Sequence, residues 1–424
     1  MSKPIIVTGH KSPDTDSICS SISYAKLLQL QGKDVIPGRA GEPNKETTFA
    51  LNYFHVEPQT LIKDFYIKVG DAVHRDVEAI PSSASLKDAA KWFAAHPSTI
   101  APVADKGAFV GVIDRTALAE EFIKTVTGGE LSTVKELAHD PETFFQTTDK
   151  AQDIPDDGHQ YVVVDDGQYV GLVCAACVGN VEKQEVILVD HNEKKQIIDG
   201  IDDAKIVGVI DHHRIGGTLA TDGPISILFR TVGCTATIVT GLYKQYGIAI
   251  PKEIAGLLLS AVISDTVLFR SPTCTQEDKE AAAELAAIAG VDIETYGMEM
   301  LKAGANVSDL TPEQICANDM KEFNGGGKTF TISQVQVMDT SDLLNQKDVL
   351  VNALDKMRTS KGIDACFLMI TSIIDESTNL IFAGSMDDTV SKAFEKDVMD
   401  KEVYLPHVMS RKKQIVPPIL SALK

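Results

Sequence analysis

Three apolar, β-branched runs in this chain end abruptly on acidic and imidazole side chains: PIIVTGHKSPDTDSI at 4–18, EVILVDHNE at 185–193 and KIVGVIDHHR at 205–214. Such runs read as buried parallel strands, and a strand passing through a short polar turn into a helix belongs to α/β folds. The first turn crowds His10, Asp14 and Asp16 into seven residues, and like carboxylates repel unless a proton or cation lies between them. A fourth place is Asp265 in ISDT, which closes the apolar stretch EIAGLLLSAVISDT. In an open α/β sheet, ligands collect at the carboxyl ends of the strands. The clusters His10/Asp14/Asp16, Asp190-His191, Asp211-His212-His213 and Asp265 are therefore expected to meet in one site. Mixed imidazole and carboxylate donors suit Mn or Co better than Ca. The carboxylates outnumber what one ion needs. Two ions sharing a carboxylate are expected, an arrangement that activates water for in-line attack on phosphorus. Taken singly, Asp16 or Asp265 reads as a helix N-cap and His191 as a structural histidine. Recurrence at four places on one chain argues for a metal site.

Composition narrows the partners. A chain of 424 residues has room for roughly two to three domains. Its formal net charge of −20 favours solubility and repels nucleic acid, so an anionic substrate needs a local basic pocket or metal ions. No apolar run approaches the ~18 residues of a membrane span, and MSKPIIVTG lacks the apolar core of a secretory signal. A cytoplasmic protein is expected, with no membrane and no nucleic-acid partner. Its seven cysteines are scattered, which fits reduced thiols. Cys174-Ala-Ala-Cys177 is a lone CxxC with no second pair for zinc, and it is expected to be two packed thiols.

Residues 4–8 read as a strand, 17–31 as a helix, 34–37 as a second strand and 43–54 as a second helix. Residues 66–184 then hold two similar passages, each with a strand, an acidic turn (Ala104-Asp105-Lys106-Gly107 or Asp165-Asp166-Gly167) and a second strand carrying Gly111 or Gly171. An internal repeat of this size implies a pseudo-symmetric pair of small modules. The α/β texture returns after 184. ISILFRTVGCTATIVTGLYKQYG is expected to be largely helical, and 277–289 a helix stopped by Gly290. Asn324-Gly-Gly-Gly327 is expected to separate this half from a final α/β stretch with alternating strands, a helix around 343–359 and the basic segment SRKKQ.

GHKSPDTDSI, LVDHNE, IDHHR, ISDT, DMKEF and SRKKQ together resemble a family II, manganese-dependent inorganic pyrophosphatase of the DHH phosphoesterase superfamily. The resemblance covers nearly the whole chain, and 66–184 sits where one subgroup carries a pair of cystathionine-β-synthase-type (CBS) modules. It implies an α/β protein with a DHH-type parallel-sheet catalytic domain in two parts (1–65 and 185–306). A CBS pair at 66–184 (modules 66–127 and 128–184) and a mixed α/β DHHA2-type domain at 307–424 complete it. By that resemblance His10 and Asp14 ligate a first metal, Asp16, His212 and Asp265 a second, and Asp190 bridges them. His213 faces substrate, while Lys321, Arg411 and Lys412 clamp phosphate, with Lys302 a competing lysine. The implied cofactor is Mn2+, with Co2+ or Mg2+ as alternatives, two or more per subunit.

The implied reaction is hydrolysis of pyrophosphate to two orthophosphates, with domain closure hinging near 305–312. AMP, ADP and ATP are the implied regulators and a homodimer the implied assembly. Two features depart from the usual pattern. The expected Ser/Thr-x-x-Asp ribose motif is replaced by Asp114-Arg-Thr-Ala117 and Cys174-Ala-Ala-Cys177, and there is no room for the DRTGG module of longer relatives. The competing readings are another DHH phosphoesterase acting on polyphosphate or a cyclic dinucleotide, and a non-catalytic adenylate sensor.

Overall fold

The protein is described by a computed structural model covering residues 3–305, 307 and 309–424. Two compact units form, one from the chain up to 63 with 185–198 and 206–424, the other from 64–184 with 199–205. The seven residues at 199–205 are an addition to the second unit that the sequence pattern does not reveal.

The chain opens with β1 (Ile5–Thr8), α1 (Thr15–Leu30), β2 (Val35–Arg39), α2 (Lys45–Tyr53) and β3 (Thr60–Leu61). It then builds the second unit from α3 (Val69–Ala72), α4 (Leu86–Ala95), β4 (Ile100–Asp105), β5 (Ala108–Asp114), α5 (Arg115–Thr127), α6 (Val134–Leu137), β6 (Phe144–Phe145), β7 (Tyr161–Asp165), β8 (Gln168–Val173) and α7 (Ala175–Val178). It returns through β9 (Glu185–Val189), β10 (Lys205–Asp211), β11 (Ser226–Phe229), α8 (Thr235–Gln245), α9 (Lys252–Thr266), α10 (Gln276–Ala289) and α11 (Ile293–Ala305). The last part is α12 (Pro312–Ala317), β12 (Lys321–Gly325), β13 (Lys328–Val337), α13 (Ser341–Leu344), α14 (Lys347–Lys361), β14 (Ala365–Ser372), β15 (Ser377–Gly384), α15 (Asp387–Phe394), β16 (Glu402–Pro406) and α16 (Val416–Ala422). Among the described residues, no helix is long and apolar enough to cross a membrane.

Strand order in the first sheet is β11-β10-β9-β1-β2-β3, and the pairs β1–β2, β1–β9, β2–β3 and β10–β11 are parallel. The chain leaves β1 toward β2 on one side and comes back to β9 on the other. The β1/β9 seam is therefore a topological switch point, where the carboxyl ends of the strands open a crevice. Gly9 permits the tight entry into α1, since a Cβ there would lie 1.9 Å from Ser17 Oγ. One correction concerns 226–245. The apolar run SILF forms the edge strand β11, and the loop through Gly233 delays the helix to Thr235.

The C-terminal sheet, β12-β13-β14-β15-β16, is mixed: β13–β14 is parallel and its other pairs are antiparallel. Strand alternation feeds both faces. Ala365, Phe367 and Met369 pack with α16, while Cys366, Leu368 and Ile370 pack with α14. Burial on both faces explains the unbroken apolar run of β14. Asn324–Gly327 lies at the β12–β13 hairpin, where Gly326 and Gly327 have φ of 55° and 74°. It turns a strand inside this domain, in contrast to the separator expected of it.

The second unit has one sheet, β4-β5-β8-β7-β6. Its two hairpins are equivalent: Lys106 and Gly107 (φ 52° and 92°) and Asp166 and Gly167 (φ 47° and 74°) form matching two-residue turns with positive φ at both positions, the hairpin geometry that fits strand twist. The short helices are exchanged between hairpins. Val69 and Ala72 of α3 pack with Phe145, Val163 and Val173, whereas Val134 of α6 packs with Val103 and Ile113. His74 pairs with Leu172, and His139 pairs with Val112. A division at 127/128 cuts across this exchange, because a pseudo-two-fold arrangement lends each hairpin the other's leading segment. Cys174 and Cys177 are joined as a disulfide at the start of α7, their Cα atoms 5.3 Å apart. That separation lies within the range bridged cysteines need, and the bond corrects the expectation of two packed thiols. The other five cysteines are free.

Candidate metal centre

The loop from β1 into α1 places the first groups. Asp14 N-caps α1, its Oδ1 accepting from Ser17 N at 2.9 Å, which turns Oδ2 toward His10 Nε2 at 3.4 Å. Asp16, in the first turn of α1, is fully buried, and its carboxylate accepts from the backbone N–H groups of Thr235 (2.7 Å) and Ala236 (3.1 Å) at the start of α8. A carboxylate at a helix N-terminus is favoured by the dipole and by the unpaired N–H groups there.

Asp190 follows β9 in the left-handed region, φ 66°. It is 1% exposed, and its two oxygens diverge. Oδ2 lies 3.5 Å from His10 Nε2, while Oδ1 lies 3.5 Å from His212 Nε2. Thr235 Oγ1 also donates to Oδ1 at 3.0 Å. His212 follows β10 and directs Nδ1 to the carbonyl of Val232 at 3.1 Å. Its Nε2 is buried with no hydrogen-bond partner and stands 3.6 Å from Asp265 Oδ2. Asp265 occupies the last turn of α9, so this acid reaches the site from a helix end and not from a strand end. Val267, Leu268 and Phe269, immediately beyond, all have positive φ (49°, 50° and 67°). Side-chain-bearing residues there cost of order 1–3 kcal/mol each and cluster at functional sites.

Among the described residues, three groups of side chains have ligand atoms within 4.8 Å of one another: His10 with Asp14 and Asp190, Asp16 with His212 and Asp265, and Asp190 with His212 and His213. The 3.4–3.6 Å gaps are too long for good hydrogen bonds. Donors sharing one ion through bonds of ~2.1 Å stand about 3 Å or more apart. Without a cation the cluster is electrostatically frustrated. Burial, with Asp16 beside it, pushes the Asp190 carboxyl up to about 7, and burial plus Asp16, Asp14 and Asp190 lifts Asp265 well above the usual range. Burial disfavours charge on His10, but Asp14 and Asp190 raise it to about 10. The orphaned Nε2 of His212, the divergent oxygens of Asp190 and the N/O donor set fit divalent manganese.

Asp211 does a different job. Fully buried, it takes His213 Nδ1 at 2.9 Å and Asn192 Nδ2 at 2.5 Å, and those bonds hold it down to about 2 despite burial. His213 is thereby oriented, and although burial opposes its charge, Asp211 and Asp190 raise it above the usual imidazole range. His191 is buried, bonds the Val189 carbonyl through Nδ1 at 2.9 Å and is pushed down to about 4 by burial and by His10.

The basic groups come from the C-terminal domain. Lys321 acts electrostatically on Asp14. Lys412 is lowered by desolvation and by Lys321, and it feels Asp211, Asp265 and Asp190. Arg411 is buried, its Nη1 donating to the carbonyls of Asp319 and Ile332 and its Nη2 to Asp319 Oδ2 at 2.8 Å. In this arrangement the guanidinium secures the turn before Lys321. Lys302 lies exposed on α11. The expected hinge at 305–312 includes 306 and 308, which lie outside the described residues. Sequence reasoning missed Thr235 and the α8 N-terminus, and the small-residue stretch GCTA before a helix was the available signal.

Residues 4–262 match the family model described as DHH family, N-terminal domain, and residues 298–422 match the DHHA2 domain. This defines a two-domain class, and the candidate ligands His10, Asp14, Asp16, Asp190 and His212 fall within the first match. A Bacillus licheniformis protein named "Probable manganese-dependent inorganic pyrophosphatase" is 35% identical over 424 residues, covering all of both chains. A protein of the same name from an Exiguobacterium strain is 34% identical, over 99% of this chain and 98% of its own. A solved Methanococcus jannaschii chain assigned to the family II inorganic pyrophosphatases is 31% identical, with a TM-score of 0.63 over 98% of each chain. The chain belongs to the DHH family, among the family II manganese-dependent inorganic pyrophosphatases.

Proposed function

We propose that the protein hydrolyses inorganic pyrophosphate to two orthophosphates at a pair of manganese ions. His10, Asp14 and Asp190 would hold one ion, and Asp16, Asp190, His212 and Asp265 would hold the other. The observation that carries this is Asp190, whose two oxygens face two different imidazoles at the same 3.5 Å. When bound, the metal pair supplies Lewis acidity, lowering the pKa of water and offsetting phosphate charge. The chain's residues do the rest. His213, fixed through Nδ1 by Asp211, offers Nε2 as hydrogen-bond donor or proton source to a phosphate oxygen. Lys321 and Lys412 bring positive charge to an otherwise acidic protein and hold the transferring and leaving phosphates. Arg411 joins them once its fork is released from Asp319, or else serves by holding the Lys321 turn.

The second unit is a CBS-type pair that binds adenine nucleotides and mediates a homodimer. Its exchanged, pseudo-two-fold hairpins support this reading. The absence of the usual ribose motif at Asp114–Ala117 and Cys174–Cys177 predicts weaker nucleotide contacts than in its class. The test is phosphate release from pyrophosphate, tripolyphosphate and a cyclic dinucleotide with Mn, Co or Mg, each with and without AMP or ATP. Preference for pyrophosphate with Mn supports the proposal, and turnover confined to another substrate overturns it.

A further inference from the structure

We propose that Glu46, a residue outside the ligand clusters, is a positioning residue for the metal centre. One oxygen of its carboxylate ties the first turn of α1 to the last turn of α9. Thr15 Oγ1 donates to Glu46 Oε1 at 2.8 Å, and Ser264 Oγ donates to the same oxygen. Thr15 stands between Asp14 and Asp16, and Ser264 directly precedes Asp265. A single atom therefore joins the two helix ends that deliver three of the clustered carboxylates.

The location gives the tie its purpose. The carbonyl end of α9 carries negative partial charge, which disfavours a carboxylate such as Asp265. The three positive-φ residues that follow stop the helix from fixing this turn by simply continuing. A brace from another element is needed, and α2 supplies it. Asn44 caps α2 by accepting from Thr47 N at 2.7 Å, and Glu46 lies in the first turn, where a carboxylate is favoured. Thr15 is fully buried and also shares a hydrogen bond with Thr47 at 3.1 Å. Gly304 near the end of α11 makes room, since a Cβ there would lie 2.9 Å from Glu46 Cβ and Oε2. Metal sites tolerate ligand displacements of only ~0.5 Å, so a brace bridging two ligand-bearing turns controls affinity without touching the ion.

The inference rests on the manganese reading of the site. Mn2+ would be titrated into the metal-free full-length protein, by calorimetry and by electron paramagnetic resonance, for wild type, Glu46→Ala, Glu46→Gln, Ser264→Ala and the Glu46→Ala/Ser264→Ala pair. Glu46→Ala is expected to weaken manganese binding by about 10-fold or more, the scale seen for groups that orient ligands. Glu46→Gln keeps an oxygen that accepts both hydroxyls and should stay within about three-fold. The double variant should bind no more weakly than Glu46→Ala alone, because both changes cut one tie. At saturating manganese, kcat should recover while the half-saturating concentration stays raised. Wild-type affinity in Glu46→Ala overturns the proposal, as does equal loss in the Ala and Gln variants. Should Glu46→Ala fail to fold, wild-type affinity in Ser264→Ala overturns it. A wild-type chain that binds no manganese overturns the proposed function as well, so the two failures are told apart.

Discussion

Asp278 supports the segment that holds Asp16 without itself belonging to the ligand clusters. It is fully buried in α10, and its carboxylate accepts four hydrogen bonds. Its Oδ2 accepts from Gly233 N at 2.8 Å and from Thr275 N and Oγ1 at 2.7 and 2.6 Å, and its Oδ1 accepts from Thr237 Oγ1 at 2.6 Å. Gly233 and Thr237 flank Thr235 and Ala236, whose N–H groups hold Asp16. Asp278→Ala strands two buried donors, at about 1–3 kcal/mol each, and removes the reciprocal half of the α10 cap. A destabilisation of about 4 kcal/mol follows. Asp278→Asn keeps one acceptor, and Thr237 can rotate to accept from the new amide, so about half that loss is expected. The assay is urea unfolding of the metal-free chain by far-UV circular dichroism, with Trp92 fluorescence as an internal control. Trp92 is the chain's single tryptophan and lies in the second unit. The dichroism midpoint should fall while the Trp92 transition stays in place. A loss under about 1 kcal/mol, or an equal shift of both transitions, would refute the reasoning.

Lys321→Ala and Lys412→Ala should each raise KM for pyrophosphate by about 10-fold or more with manganese affinity unchanged, measured by initial rates and metal titration. Gly171→Ala would place a Cβ 2.3 Å from the His74 carbonyl, so it should lower the Trp92 transition by roughly 1–3 kcal/mol. The equivalent Gly111→Ala, 2.7 Å from the His139 carbonyl, should do the same if the two halves are truly equivalent.

How much of this was visible in the sequence depends on the range of the interaction involved. His10, Asp190 and His212 follow β-branched runs directly, so the strand-end rule alone brings them toward one crevice. Asp16 and Asp265 are different. Their places depend on the α8 N-terminus, 219 residues away from Asp16, and on the turn after α9, and nothing local in the sequence pairs either of these with its acid. SILF formed a strand because a short apolar run has no periodicity to separate strand from helix. Asn324–Gly327 is ambiguous for a similar reason, since glycines serve linkers and hairpin turns alike. The exchange of α3 and α6 is a long-range pairing, which a repeat in the sequence suggests but cannot assign. Arg411 was read by its chemistry as a phosphate fork, and only the fold reveals Asp319 as its neighbour.

The most direct test of the account is Asp190→Ala in protein stripped by chelation and reloaded with manganese, followed by metal stoichiometry and pyrophosphate turnover in parallel. Loss of bound manganese together with a fall in turnover of at least about 100-fold is the predicted result. Full metal content with hydrolysis at the unmodified rate would contradict the claim that this carboxylate joins two ions.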